Sequence, residues 1–259
     1  MSLAKKLGFL GSPSSKLKAT TDTAYTADQW SPALRAGTHT LYKQDMMYKQ
    51  TMFKLFIDDI DEGSIEMQSI LNELQNSTES DTLEVRINSN GGFVHYGMSL
   101  LNVMSDNFYE RTITLIEQIA ASMAGLIFLK GDARLVYPHS TLMIHSTSFG
   151  VVGKISEVSD RVIHEKKWND NNLNLMLKPF FSKKEIEEVI SGKDLWIDAE
   201  DMCLKGIATG VIYPNGEIVE PEVFLKSVNK GKKKKAKKKP QPKNPPKEEV
   251  KTESKDELS

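Results

Sequence analysis

The chain has 259 residues, of which 39% are hydrophobic and 27% charged, with a formal net charge of −1 and a single cysteine. That length buries a full core in roughly one or two domains, and no run of about 18 apolar residues offers a membrane-spanning helix. Cys203 alone forms no intrachain disulfide, which fits a reducing compartment and excludes a disulfide-stapled fold. The near-neutral charge conceals a division. Residues 226–259 carry 13 lysines against 5 acidic residues, a net of +8, which leaves −9 on residues 1–225.

Residues 1–40 are rich in Ser, Thr, Ala and Lys without periodicity and predict a mobile N-terminal arm, whose Gly8–Pro13 stretch is too short for a signal peptide's apolar core. Met52–Ile57 opens the core as a strand. Ser64–Leu74 follows with helical spacing of Ile65, Ile70, Leu71 and Leu74. A strand over Leu83–Ile87 runs into the polar turn Asn88-Ser89-Asn90-Gly91-Gly92, and a helix over Tyr96–Met104 completes the unit. Glycine at 91 and 92 permits positive φ and lets another chain approach the backbone closely.

Strand Thr112–Ile116 leads into Gln118-Ile119-Ala120-Ala121-Ser122-Met123-Ala124-Gly125 and then an apolar helical run, Leu126–Leu129. Ser122 thus falls at a strand-to-helix turn, beside backbone N–H groups that no helical carbonyl has claimed. Such a turn can expose a hydroxyl and offer amides to an oxyanion; the competing reading is an N-cap or a small packing serine. Strands Arg134–Val136 and Leu142–His145 come next, the second ending in a histidine. Among the other histidines, His39, His95, His139 and His164, none ends an apolar strand, although His95 is close enough to the glycine loop to line a groove.

A long helix over Ile155–Leu177 places Val158, Val162, Trp168, Leu173 and Leu177 among many charges, which suggests a partner surface as well as a core. Ser182 and Glu185 form a capping box. In Asp194-Leu195-Trp196-Ile197-Asp198-Ala199-Glu200 both aspartates share a strand face, while Asp198 also reads as a helix N-cap. From Lys226 the Lys/Pro-rich segment cannot bury apolar surface and is expected to be disordered. It either binds a polyanion or an acidic protein surface, or only solubilises. The reading is α/β, with a mobile arm at 1–40, a folded domain at 41–225 and a tail at 226–259.

Asn88-Ser89-Asn90-Gly91-Gly92, Ala121-Ser122-Met123, Met143-Ile144-His145 and Asp194–Glu200 followed by Lys205-Gly206-Ile207 resemble, in order and approximate spacing, the signature segments of the Clp protease proteolytic subunit (ClpP) family. The resemblance runs from about Met52 to Ile212. It implies the ClpP/crotonase superhelical fold of strand-helix units, with the long helix as a handle between stacked rings. It also implies a serine endopeptidase with Ser122 as nucleophile, His145 as general base and then acid, and Asp194 as the orienting carboxylate. The N–H groups of Gly92 and Met123 would form the oxyanion hole, and the loop Gly91-Gly92-Phe93 would hold the substrate as an added strand.

By the same resemblance the subunit forms a homo-oligomeric ring, acts on unfolded protein or peptides, and works with an AAA+ unfoldase in the cytoplasm. No cofactor is implied in the chain itself, since ATP would enter only through the unfoldase and no Gly-x-x-x-x-Gly-Lys-Ser/Thr pattern occurs. Asn90 stands where the family usually has proline, and His145-Ser146-Thr147 lacks its Gln-Pro. A divergent arm and a basic tail would also suit a viral head-maturation peptidase acting without an ATPase. An inactive ring subunit and a crotonase-type acyl-CoA enzyme are the readings from other classes.

Overall fold

Alternation decides the central strands. In the segment from Thr82 to Ser89, Leu83, Val85 and Ile87 are fully buried while Glu84 and Arg86 are half-buried on the opposite side, the period-2 signature of a strand with one face on a core. The computed structural model describes residues 31–36, 39–46, 50–58, 60 and 64–237. Its strands in chain order are β1 (Ser31–Ala36), β2 (His39–Met46), β3 (Gln50–Ile57), β4 (Thr82–Ser89), β5 (Thr112–Ala121), β6 (Ala133–Val136), β7 (Thr141–Ile144), β8 (Leu195–Asp198), β9 (Gly210–Ile212) and β10 (Ile218–Val219). The described helices are α1 (Ser64–Gln75), α2 (Val94–Asn107), α3 (Met123–Lys130), α4 (Ile155–Leu177), α5 (Lys183–Ile190), α6 (Ala199–Leu204) and α7 (Pro221–Lys237).

All ten strands belong to one sheet, in the order β1-β2-β3-β4-β5-β6-β9-β10. The run from β3 through β4, β5 and β6 to β9 is parallel, with antiparallel additions at both ends. Strand β5 is long enough to serve two neighbours. Its first half, Ile113–Ile116, pairs with β6, and its second half, Ile119–Ala121, pairs with β7. The buried Ser140 hydroxyl satisfies the backbone where the partner changes, donating to the Ile116 carbonyl at 2.8 Å and accepting from the Tyr137 amide at 2.8 Å. This branch carries β7 to the carboxyl end of β5, where sites form in parallel sheets.

Helix α3 packs on β4 and β5, α2 packs against α3, and α1 against α2. Buried Leu100, Leu101, Val103 and Met104 give α2 its apolar stripe, and α3 is apolar almost all round and accordingly buried. The opposite face carries a smaller cluster of Ile113, Leu115, Ala133, Leu135 and Ile212, with Tyr137 and Ile218 packed against it. Along α4 the burial is one-sided in another sense. Leu173 and Leu177 are buried, but Ile155, Val162 and Ile163 near its start are exposed, so the core takes the end of the helix and leaves its start open.

The sheet starts earlier in the chain than the sequence suggests, because β1 and the first residues of β2 fall inside the expected arm. The rest of that arm, residues 1–30 and 37–38, lies outside the described residues. The chain divides into two compact units, residues 1–225 and 226–259. Helix α7 continues past the start of the segment expected to lack structure, through Lys237, and residues 238–259 lie outside the described residues. Among the described residues no helix is long and apolar enough to cross a membrane.

Candidate active site

Ser122 is the single residue between β5 and α3, and its backbone takes φ 56° and ψ −126°. Side-chain-bearing residues rarely occupy that region, at a cost on the order of 1–3 kcal/mol. Its amide donates to the Met143 carbonyl at 2.9 Å, which continues the β5–β7 ladder by one step. Although the residue stands at the N-cap position, its side chain makes no capping hydrogen bond. The hydroxyl oxygen instead lies 2.7 Å from Nε2 of His145. The capping alternative is therefore set aside by geometry.

Strand register delivers the other two side chains. In the antiparallel β7–β8 pair, Ile144 faces Leu195 and Thr141 faces Asp198, so one step beyond the paired end His145 meets Asp194. Asp194 Oδ1 lies 4.0 Å from His145 Nδ1, and the aspartate side chain is 54% exposed. Asp198 sits at the far end of β8 and accepts the Asp201 amide at 2.9 Å as the N-cap of α6. Of the two aspartates, Asp194 is thus the one brought to the histidine. The remaining described histidines serve elsewhere: His95 packs on Tyr96 with ring centroids 4.1 Å apart, His139 stacks on Tyr137 at 5.5 Å, and His164 is exposed. The side chain of His39 lies outside the described residues.

The glycine loop closes the arrangement from the β4 side. Ile60, a residue to which the sequence reading gave no role, pins it: the Ile60 amide donates to the Gly91 carbonyl at 3.0 Å, and its carbonyl accepts the Phe93 amide at 2.8 Å. Gly91 has φ 107° and Gly92 φ 142°. A Cβ on Gly91 would stand 2.6 Å from Ser122 Cβ, and one on Gly92 would stand 2.1 Å from the Ile60 carbonyl oxygen. Both glycines are therefore required by the chain's own packing, whatever lies along the loop. Among the described residues the amides of Gly92 and Met123 have no hydrogen-bond partner.

One hollow touches the serine and another runs past the glycine loop. A notch of about 20 Å³ lies against Ser122 and His145, with Met98, Leu126, Trp168 and Met176 in its wall. A wider groove of about 620 Å³ passes Gly92, Phe93, His95, Thr147, Phe149 and Val151, so His95 and the exposed Phe93 do line a groove beside the loop. Asn169 also reaches the notch. It shares a helical stripe with Leu173 and Leu177, and a polar residue on that apolar stripe was the signal available in the sequence. Burial pushes the Cys203 thiol up to about 11, so it is a poor nucleophile near neutral pH. Among the described residues no group of three or more His, Cys, Asp or Glu side chains is placed to hold a metal.

A hydroxyl held against an imidazole, beside unclaimed amides at the carboxyl edge of a parallel sheet, is the arrangement that hydrolases of the α/β class use for acyl transfer. The sheet and helices are those of the ClpP fold. A sequence model of the Clp protease family matches residues 37–215, and the chain belongs to that family. The ATP-dependent Clp protease proteolytic subunit of Leuconostoc citreum (strain KM20) is 30% identical over 168 residues, which cover 62% of this chain and 81% of that protein. The protein of the same description from Bigelowiella natans is 31% identical over 153 residues, 58% of this chain and 70% of that one. The one from Pleurastrum terricola is 33% identical over 121 residues, 46% and 59% respectively.

Proposed function

We propose that this chain is a serine endopeptidase in which Ser122 is the nucleophile, His145 the general base and Asp194 the orienting carboxylate. The observation that carries the reading is the 2.7 Å approach of His145 Nε2 to the Ser122 hydroxyl. In the first half-reaction Nε2 takes the hydroxyl proton as Oγ attacks the scissile carbonyl carbon. The carbonyl oxygen becomes an oxyanion and accepts hydrogen bonds from the Gly92 and Met123 amides. Collapse of the intermediate breaks the C–N bond, and the imidazolium returns the proton to the leaving amine. Water then repeats the sequence on the acyl-enzyme. Asp194 contributes as a fixed negative charge behind the imidazolium, and drawing its carboxylate about 1 Å closer would turn that contact into a hydrogen bond.

The groove past Gly92 and Phe93 suits an extended peptide added alongside the loop, bound mainly through its backbone. Selectivity then has to come from access, which favours a ring-forming subunit supplied with unfolded chains by an ATP-dependent unfoldase. The exposed apolar start of α4, with Ile155, Val162 and Ile163, supports a second ring as its cover. Peptide hydrolysis tests the reading. Ser122→Ala should abolish cleavage of a fluorogenic peptide and of an unfolded protein while leaving the unfolding midpoint within a few degrees of wild type. Cleavage that survives in Ser122→Ala contradicts the assignment, and a scaffold subunit or an acyl-CoA enzyme would be indifferent to the change.

A further inference from the structure

Asn169 is only 8% exposed although it lies on the apolar stripe of α4. An amide is tolerated at such a position when both its ends are hydrogen-bonded. Its Oδ1 accepts the Thr147 amide at 3.0 Å, and its Nδ2 donates to Ser146 Oγ at 3.0 Å and to Asp170 Oδ1 at 3.3 Å. A backbone N–H can only donate, so the Thr147 contact fixes which way the amide group faces.

Of these partners, Ser146 and Thr147 are the residues that follow His145. Strand β7 ends at Ile144, whose partner Leu195 closes the β7–β8 ladder. His145 is therefore the first residue past the sheet, and its ring is hydrogen-bonded through Nε2 to Ser122. Behind the ring, Asp194 stands at 4.0 Å and is largely open to solvent, a distance longer than a hydrogen bond and an exposure at which ion pairs contribute little. The firmest anchor on the outgoing side of His145 is accordingly the pair of bonds to Asn169.

We propose that Asn169 is a positioning residue, which holds His145 against Ser122 by clamping Ser146 and Thr147 to the long helix. The inference rests on the peptidase reading for its kinetic consequence and on geometry alone for its structural one. Reacting groups misplaced by about 1 Å lose on the order of 100-fold in rate. Asn169→Ala is accordingly expected to lower kcat by roughly 10- to 100-fold, with a smaller rise in KM because the released Thr147 also lines the groove. Asn169→Asp, assayed near pH 8, can accept from both the Thr147 amide and the Ser146 hydroxyl but faces the Asp170 carboxylate in place of donating to it, so it should recover part of the rate.

A readout free of hydrolysis accompanies the kinetics. In protein labelled at histidine, the imidazole resonances of His145, assigned by their loss in His145→Gln, report the order of the ring. That order should fall in Asn169→Ala and return in part in Asn169→Asp. Wild-type kcat in Asn169→Ala, or a loss that Asn169→Asp leaves unrepaired, overturns the inference. Absence of hydrolysis in the wild type is the failure of the peptidase reading instead, and the ring then decides alone: reduced order in Asn169→Ala upholds the clamp, and unchanged order overturns it.

Discussion

The backbone of Ser122, at φ 56°, is held in a conformation its side chain disfavours, and the neighbouring contacts explain how. Its amide is tied to Met143, its hydroxyl to His145, and Gly91 packs where only a hydrogen fits beneath its Cβ. Strain kept in place by surrounding structure is common where a side chain must be aimed rather than merely accommodated. The two aspartates of the segment ending in β8 show the same division between aim and support. Asp194→Asn should lower kcat on the order of 10- to 1,000-fold, less than for a buried triad carboxylate because this one is half in water. Asp198→Ala should leave kcat alone and cost about 1 kcal/mol of stability, since it removes the cap on α6. Steady-state kinetics and urea unfolding of both variants check the pair, and a reversed pattern would exchange their roles.

At the level of elements, strands with strict alternation and helices with apolar periodicity were legible in the sequence. The long helix over Ile155–Leu177 and the capping box at Ser182 have the bounds and partners that their residues dictate. Strand ends and edges were less legible. Local pattern does not say that β5 serves two neighbours, because that depends on Ser140 satisfying Ile116 from 24 residues away. Nor does it reveal β1, whose place is fixed by pairing with β2. The candidate site followed the same rule: Ser122 and His145, which the fold brings together, were singled out by their turn and strand end. Residue pattern alone left Asp194 and Asp198 open and the family resemblance favoured Asp194, which the register brings to His145; Ile60 and Asn169 needed the third dimension. Helix α5 gives this level its own prediction. A hydrogen bond from Lys205, with help from the Ser182 amide and hydroxyl, holds the Glu185 carboxyl down at about 2 against an ordinary 4.5. A depressed carboxylate stabilises the fold above its unfolded value and loses that contribution as pH falls through the folded one. Wild type should therefore lead Glu185→Gln in unfolding midpoint at pH 7 by at most about 1 kcal/mol, given the partial exposure of the pair. The lead should shrink below pH 4.5 and vanish near pH 2; a lead that grows on acidification would contradict it.

On the scale of the molecule, charge and fold are segregated. Residues 1–225 carry −9 and residues 226–259 carry +8, and the boundary coincides with the division into two compact units. Deleting residues 226–259 should leave small-peptide hydrolysis unchanged, because every group of the proposed site lies before it. The same deletion should weaken binding to a polyanion such as heparin in a salt-dependent way; unchanged binding would reduce the segment to a solubiliser. The proposed chemistry meanwhile depends on one activated hydroxyl within the first unit. Labelling the purified protein with a fluorophosphonate, followed by mass-spectrometric location of the adduct, tests that most directly. The account predicts a single adduct per chain, on Ser122, absent in Ser122→Ala and formed far more slowly in His145→Gln. Folded wild-type protein that takes no adduct, or takes it on another residue, would contradict it.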